Sequence, residues 1–328
     1  MLQIIIAKGT NGYDISNMWK SLEWSGRKGA APRCVKITLI DDDGENHARV
    51  TVDCEDGDQC VFYEDGAELF RGIIVKNGQE NSKKLNITAY DNAYYLANNK
   101  DSFSYTNKSA SQIFKDCMTR IGMTGGNVAD TGYVIPELPK AKTTYYDVML
   151  DALSSTYKAT GIRYYIYSDK GNIHLARRSE NSLQLVLEVG DKGNIISYSY
   201  TKSIEKVKTR MRLLSKENSV VYEKANENLE SKIGTFMEIK QVDDSYNVAQ
   251  MQELVDALFD EKGKPEQSLK IQCIGSSEAI SGKAVYVIIP HLGLKRTFYI
   301  DEDIHKFDRY SHTMTLKLNY ATDIDSAG

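Results

Sequence analysis

The chain has 328 residues, 41% hydrophobic and 26% charged, with 5 prolines and 23 glycines, a composition that excludes collagen-like, mucin-like and disordered classes and leaves room for two or three ordinary domains. No run approaches the roughly 18 apolar residues that a membrane-spanning helix needs. A net charge of −4, from 41 basic and 45 acidic residues, lacks the basic excess of a dedicated nucleic-acid binder.

In chain order, residues 1–8 have no basic n-region and too short an apolar run for a signal peptide, so they read as a first strand. Residues 33–40 alternate, with Val35, Ile37 and Leu39 on one face. Asp41 to Glu45 supplies turn residues that tolerate positive φ. Residues 47–54 alternate again through Val50 and Val52, and Asp56-Gly57-Asp58 is the next turn. Strand-like residues 59–63 then lead to Glu64-Asp65-Gly66, a hairpin signal. Residues 69–76 and 84–91 complete a series of short strands, the pattern of a sandwich or small barrel.

Near residue 100 the period changes. Ser109 and Gln112 form a capping-box pattern ahead of Ile113, Phe114, Cys117, Met118 and Ile121, with Gly122 as the stop. A second helix is predicted over 144–160, with Tyr146, Met149, Leu150, Leu153 and Tyr157 on one face and Gly161 at its end. Residues 122–139 between the helices read as a connector, and 162–177 as a hairpin turning at 168–172. Strands return from residue 193: 195–201, then a long alternating segment over 203–215. Asn247 and Gln250 cap a helix over about 247–262 that Gly263 ends. Four strands follow, over 269–274, 284–289, 297–300 and 312–320. The expected fold is therefore α+β and mainly β. Two small β-barrel-like domains, 1–100 and 192–328, flank an α/β insert, 101–191.

Signs of catalysis are missing. The histidines (His47, His174, His291, His305, His312) show no metal-ligand spacing. His305 and His312 are the nearest pair; a metal or acid–base role is conceivable, but two strand-end histidines with separate polar neighbours is the preferred reading. The acidic turn at 41–45 lacks the spaced oxygens of a calcium loop. Residues 122–126 carry no phosphate-loop lysine. Five cysteines (Cys34, Cys54, Cys60, Cys117, Cys273) without a CxxC are expected to be reduced, as in a cytoplasm. No enzyme activity, cofactor or metal is expected. The 21 tyrosines, against 8 phenylalanines, suit strands and protein interfaces.

One feature rises above background. In residues 203–214, Lys206, Lys208, Arg210 and Arg212 fall on one strand face, with Val207, Thr209, Met211 and Leu213 on the other. Such a stripe is most often the solvated face of an antiparallel strand. Contact with a partner protein comes next, and a phosphate track last, because the chain is acidic overall.

Several segments together carry a resemblance: Trp24-Ser25-Gly26, residues 57–74, 90–101 and 107–114, Gly282 to Val287, Ile304 to Phe307 and His312 to Leu318. In this order they resemble the XkdQ/YqbQ-like proteins of PBSX-type phage elements, baseplate hub proteins of contractile tails distantly related to the hub part of VgrG. The resemblance implies two β-barrel domains per chain around an α/β region, with three chains in a pseudo-sixfold ring. Such a ring adapts a hexameric tail tube to a trimeric spike. Implied partners are further copies of the chain, the tube and spike proteins and other baseplate proteins, without a membrane and with DNA only as passing cargo. Assembly in the bacterial cytoplasm and residence in the baseplate of a phage or phage-tail-like bacteriocin follow. In that context the four basic residues are expected to face a protein partner or solvent more than the channel. The alternative is a carbohydrate- or cell-wall-binding tail accessory.

Overall fold

A computed structural model describes residues 2–40, 54–79, 84–123, 125–243 and 245–320. The acidic turn at 41–45 and all but the last residue of the strand expected at 47–54 lie outside these described residues.

The first stretch forms β1 (Leu2–Lys8), β2 (Asn11–Asp14), β3 (Trp19–Arg27), β4 (Cys34–Ile40), β5 (Gln59–Glu64), β6 (Ala67–Gln79) and β7 (Lys84–Asp91). The β5–β6 hairpin closes at Asp65 and Gly66, with φ of 49° and 83°. Two consecutive positive φ values match the right-handed strand twist, which is why Asp-Gly sits there. Inward residues Ile4, Ile6, Leu22, Trp24, Ile37 and Phe62 form one apolar core, as period-two alternation requires.

Next come α1 (Ala93–Asn98), β8 (Lys100–Ser109), α2 (Ala110–Arg120), β9 (Gly125–Val128), β10 (Val134–Thr144), α3 (Tyr145–Thr160), β11 (Tyr164–Asp169), β12 (Asn172–Arg177) and β13 (Ser182–Glu188). Both halves of the capping box at Ser109 and Gln112 are made. Thr144 caps α3, which ends at Gly161. Residues 122–139, expected as a connector, instead contain β9 and most of β10, which pairs antiparallel with β8. Pro136 and Pro139 argue against a central strand. A two-stranded ribbon tolerates them because each strand needs hydrogen bonds on one side only. Phe103, Tyr105, Ile135 and Leu138 from the ribbon pack in one cluster with Ile113, Phe114, Val148 and Met149 of the helices.

The remaining elements are β14 (Ile195–Ser203), β15 (Arg210–Leu214), β16 (Val220–Ala225), α4 (Glu227–Ile233), β17 (Met237–Gln241), α5 (Val248–Lys262), β18 (Glu266–Ile274), β19 (Ala284–Ile289), β20 (Leu294–Phe307) and β21 (His312–Tyr320). Two compact units result, one of Met1–Tyr198 with Lys270–Gly328 and one of Ser199–Leu269.

In the larger unit the mainly β character expected from the sequence is present. Its main sheet includes the run β21-β20-β3-β4-β7-β6-β5-β1-β2, with β19 on β20 and β13 on β19. No sheet closes into a barrel among the described residues. Instead β3 pairs antiparallel with β20, Leu22 opposite Phe307 and Arg27 opposite Glu302, so strands from the two outer stretches satisfy each other's edges. In the smaller unit, β15 lies between β16 and β17. Met211 and Leu213 pack with Val255 and Leu258 of α5, whose capping box at Asn247 and Gln250 is also complete.

Candidate functional site

The basic stripe belongs to the smaller unit, and only part of it is strand. Arg210 and Arg212 lie on β15, whereas Lys206 and Lys208 precede it in a turn and its exit. The backbone there bonds outside any ladder: the Lys208 amide donates to the Lys262 carbonyl at 2.9 Å and the Thr209 amide to the Phe236 carbonyl at 2.8 Å. The alternation itself survives, since Val207, Thr209, Met211 and Leu213 are all buried.

Each cation has a carboxylate. Arg210 donates to Glu223 at 2.7 Å and through two nitrogens to Glu230 at 3.0 and 3.2 Å. Arg212 donates to Glu223 at 2.6 Å. Lys206 lies 3.1 Å from Glu266 and Lys208 4.0 Å from Glu238. The arginine side chains hold Glu223 and Glu230 below the usual carboxylate range. Paired in this way, the stripe offers a phosphate backbone no uncompensated run of positive charge.

The larger unit holds a buried polar network that the sequence reading did not anticipate. Arg33, just before β4, sends two guanidinium nitrogens to the two oxygens of Asp303 on β20, at 3.0 and 2.5 Å. The pair is sealed, with side chains 7% and 0% exposed. Ser281 donates its amide to Asp303 at 2.6 Å. Burial alone would raise Asp303, but Arg33 and His305 outweigh it and hold the carboxyl below its ordinary range.

Gly26 lies opposite Asp303 in the β3–β20 register. A Cβ there would come 2.2 Å from an Arg33 nitrogen, so the glycine is what lets the guanidinium lie against the strand. Two residues earlier, the Trp24 ring lies 4.2 Å from the same guanidinium, a cation–π contact. Trp24-Ser25-Gly26 therefore shapes the pocket for Arg33.

The histidines correct the sequence reading. His305 and His312 do not have separate neighbours: His305 Nδ1 and His312 Nε2 are 3.0 Å apart. His305 is wholly buried, with Nε2 at 3.2 Å from the Ala279 carbonyl and 3.4 Å from Asp303. His312 Nδ1 is 3.7 Å from Glu64, which also accepts from the Ser277 hydroxyl. Burial, aided by the charge of His305, pushes His312 down to about 4. The seven-residue separation missed this pairing because β20 and β21 are antiparallel neighbours joined by a short turn, and Phe307 opposite His312 closes their register. Among the described residues, no group of three or more His, Cys, Asp or Glu is arranged to hold a metal.

Asp91, at the end of β7, accepts the Arg33 amide at 3.0 Å and the Ala93 amide at 2.9 Å. Burial nevertheless raises it to about 6. The cluster as a whole links Glu64, Arg33 and Trp24 of the first stretch to Ser277, Ser281, Asp303, His305 and His312 of the last. Chemically it is a joint: its charges face each other inside the protein. Burial also pushes the Cys60 and Cys273 thiols up to about 12, where neither is a ready nucleophile. The surplus tyrosine divides between core positions such as Tyr146, Tyr165 and Tyr299 and exposed ones such as Tyr157 and Tyr310.

Residues 22–319 match the YQBQ-like family. The phage-like element PBSX protein XkdQ of Bacillus subtilis strain 168 is 32% identical over 320 residues, covering 96% of each chain. Among solved structures, the 43 kDa tail protein of prophage MuSo2 from Shewanella oneidensis superposes with a TM-score of 0.71 at 13% identity, covering 96% of this chain and 97% of that one. The E. coli c3393 protein, a type VI secretion component described as structurally similar to T4 tail proteins, gives 0.57 at 12% identity over 94% of this chain and 75% of its own. At these identities the two structures speak for the fold.

Proposed function

The chain belongs to the YQBQ-like family and has the fold of a phage tail protein, and on that premise we propose that it is a structural hub of a contractile-tail baseplate. In this reading three copies form a ring that adapts a hexameric tube to a trimeric spike. Residues 1–100 and 192–328 supply two related β modules per chain, and 101–191 the insert between them. Its partners are further copies of itself, the tube and spike proteins and neighbouring baseplate proteins, with DNA only as passing cargo. It carries no catalytic function; its work is done by buried interface area.

The observation that supports this reading best is agreement of fold with a prophage tail protein over nearly the whole of both chains. The sealed network fits a load-carrying part, because its charges lock two distant stretches of chain and are not presented to a ligand. The stripe from Lys206 to Arg212 is assigned to contact with a protein neighbour, since ion-paired side chains tolerate burial against another surface better than unpaired ones.

Light scattering across a concentration series, alone and with the tube protein, tests the proposal. A species of three chain masses, seen as a ring by electron microscopy, is expected. A chain that stays monomeric at every concentration and beside its tube partner refutes the ring. Retention on purified peptidoglycan replaces the hub with a wall-binding accessory.

A further inference from the structure

The histidine pair of the larger unit constrains its own protons. His305 Nε2 faces two acceptors, the Ala279 carbonyl at 3.2 Å and an Asp303 oxygen at 3.4 Å, so it carries a proton. His312 Nδ1 faces a Glu64 oxygen at 3.7 Å. A bare lone pair aimed at that carboxylate is repelled, so this nitrogen carries a proton as well. If both rings were neutral, each would then present its other nitrogen bare. Those nitrogens, His305 Nδ1 and His312 Nε2, are 3.0 Å apart, and two lone pairs repel at that distance unless a proton lies between them.

Packing holds the rings in this arrangement. Phe307 stacks on His312 with ring centroids 3.9 Å apart, and a Cβ on Gly275 would already strike the His312 ring. The Trp24 ring lies 5.0 Å from the wholly buried His305, and aromatic faces favour a cation beside them. Among the described residues, the charged groups facing the pair are Asp303 from β20 and Glu64 from β5, with Arg33 beyond Asp303. One positive charge on the pair therefore completes a row that alternates in sign: Arg33, Asp303, the two histidines, Glu64. A second is opposed, since burial and then the charge of His305 push His312 down to about 4.

We propose that the pair stores one proton beyond those of two neutral imidazoles, between His305 Nδ1 and His312 Nε2, and that this proton is a pH-sensitive latch. It ties Glu64, at the end of β5, and the loop over 275–281 to the β20–β21 hairpin. The proton belongs to the pair, with His305 as its main holder. When alkali removes it, hydroxide becomes water and the two nitrogens face each other bare. Either the rings part, or His312 moves its remaining proton from Nδ1 to Nε2 and turns a lone pair on Glu64. Both outcomes loosen Glu64 and with it Ser277, whose hydroxyl donates to the same carboxylate. The latch rests on this pair alone and does not fall with the hub proposal.

The test uses the full chain with nitrogen-15-labelled histidine rings, followed by NMR at pH 6 and pH 9 and assigned with His305→Gln and His312→Gln. At pH 6, protons are expected on both nitrogens of His305 and on Nδ1 of His312, with His312 Nε2 bare. At pH 9 one of these protons is gone. Amide hydrogen exchange, corrected for its intrinsic pH dependence, reads the latch. Residues 64–66 and 275–281 are expected to open about tenfold more readily at pH 9 than at pH 6, with α2 unchanged. Glu64→Gln removes the carboxylate from a half-buried site, and in that variant the same segments open equally readily at both pH values. Two neutral rings at pH 6, or a pair still charged at pH 9, overturns the proposal. So does a proton lost without change in exchange, or a Glu64→Gln protein that responds to pH like the parent.

Discussion

Asp303→Asn tests whether the Arg33–Asp303 pair is the keystone of the β3–β20 joint. The change keeps the shape and removes the charge. Asp303 accepts two bonds from Arg33 and one from the Ser281 amide, and an amide side chain cannot accept all three. The larger consequence is an Arg33 guanidinium, 7% exposed, left without its counter-charge. Breaking a buried pair by removing one partner costs about 3–5 kcal/mol, whereas replacing both partners with apolar residues of similar volume is often neutral. Arg33→Met with Asp303→Leu is therefore expected to be less destabilising than the sum of the single changes, with a coupling of about 3 kcal/mol. Urea unfolding followed by tryptophan fluorescence suits the measurement. The chain has 2 tryptophans, and both, Trp19 and Trp24, are buried in the core beside this network. A cost below about 1 kcal/mol for Asp303→Asn, or additive single and double changes, refutes the reasoning.

Further expectations follow from other parts of the joint. His312, pushed down to about 4, is neutral in the fold but protonates near 6.5 when unfolded; its contribution is full above 6.5 and lost as pH falls toward 4. Asp91, raised to about 6, acts oppositely, its contribution being full below 3.8 and lost as pH rises through 6. At about 1.4 kcal/mol per unit, each amounts to at most about 3–4 kcal/mol. Between pH 4 and 6 they offset, so urea midpoints should be nearly flat for the parent, fall with pH for His312→Asn and rise for Asp91→Asn. Identical slopes in the three proteins contradict this. Gly26→Ala, which forces a Cβ to within 2.2 Å of Arg33, is expected to cost about 1–3 kcal/mol. Gly78→Ala, with nothing within 4 Å, should change stability by less than about 0.5 kcal/mol by the same urea measurement. Charge reversal at Lys206 and Lys208 should leave circular dichroism unchanged and weaken association with copies or tube protein in light scattering. Unchanged association removes the stripe from the contact surface.

How legible an element is in the sequence depends on how far apart its interacting residues lie. Both capping boxes, the Asp65-Gly66 hairpin and the strands 284–289 and 312–320 were legible because each signal is complete within a few neighbouring residues. β10 was not, because Pro136 and Pro139 are evidence against a strand unless the pairing is known to be one-sided. The strand expected over 203–215 shortened to Arg210–Leu214, although burial alternates from Val207 as the pattern required. Periodicity reports which side of the chain is buried; it does not report whether a neighbouring strand is there to pair.

The sequence alone thus determined the mainly β character, the helix and hairpin ends, and a charge balance unsuited to a nucleic-acid binder. The order of its motifs pointed to the family. Only the tertiary structure decided that β3 pairs with β20, that Arg33 meets Asp303 across 270 positions, and that His305 and His312 share a hydrogen bond. Local conformation follows from backbone sterics and side chains a few residues away. Buried charges find partners only once long loops have closed and water has been expelled, and no local pattern records which charge will be waiting there.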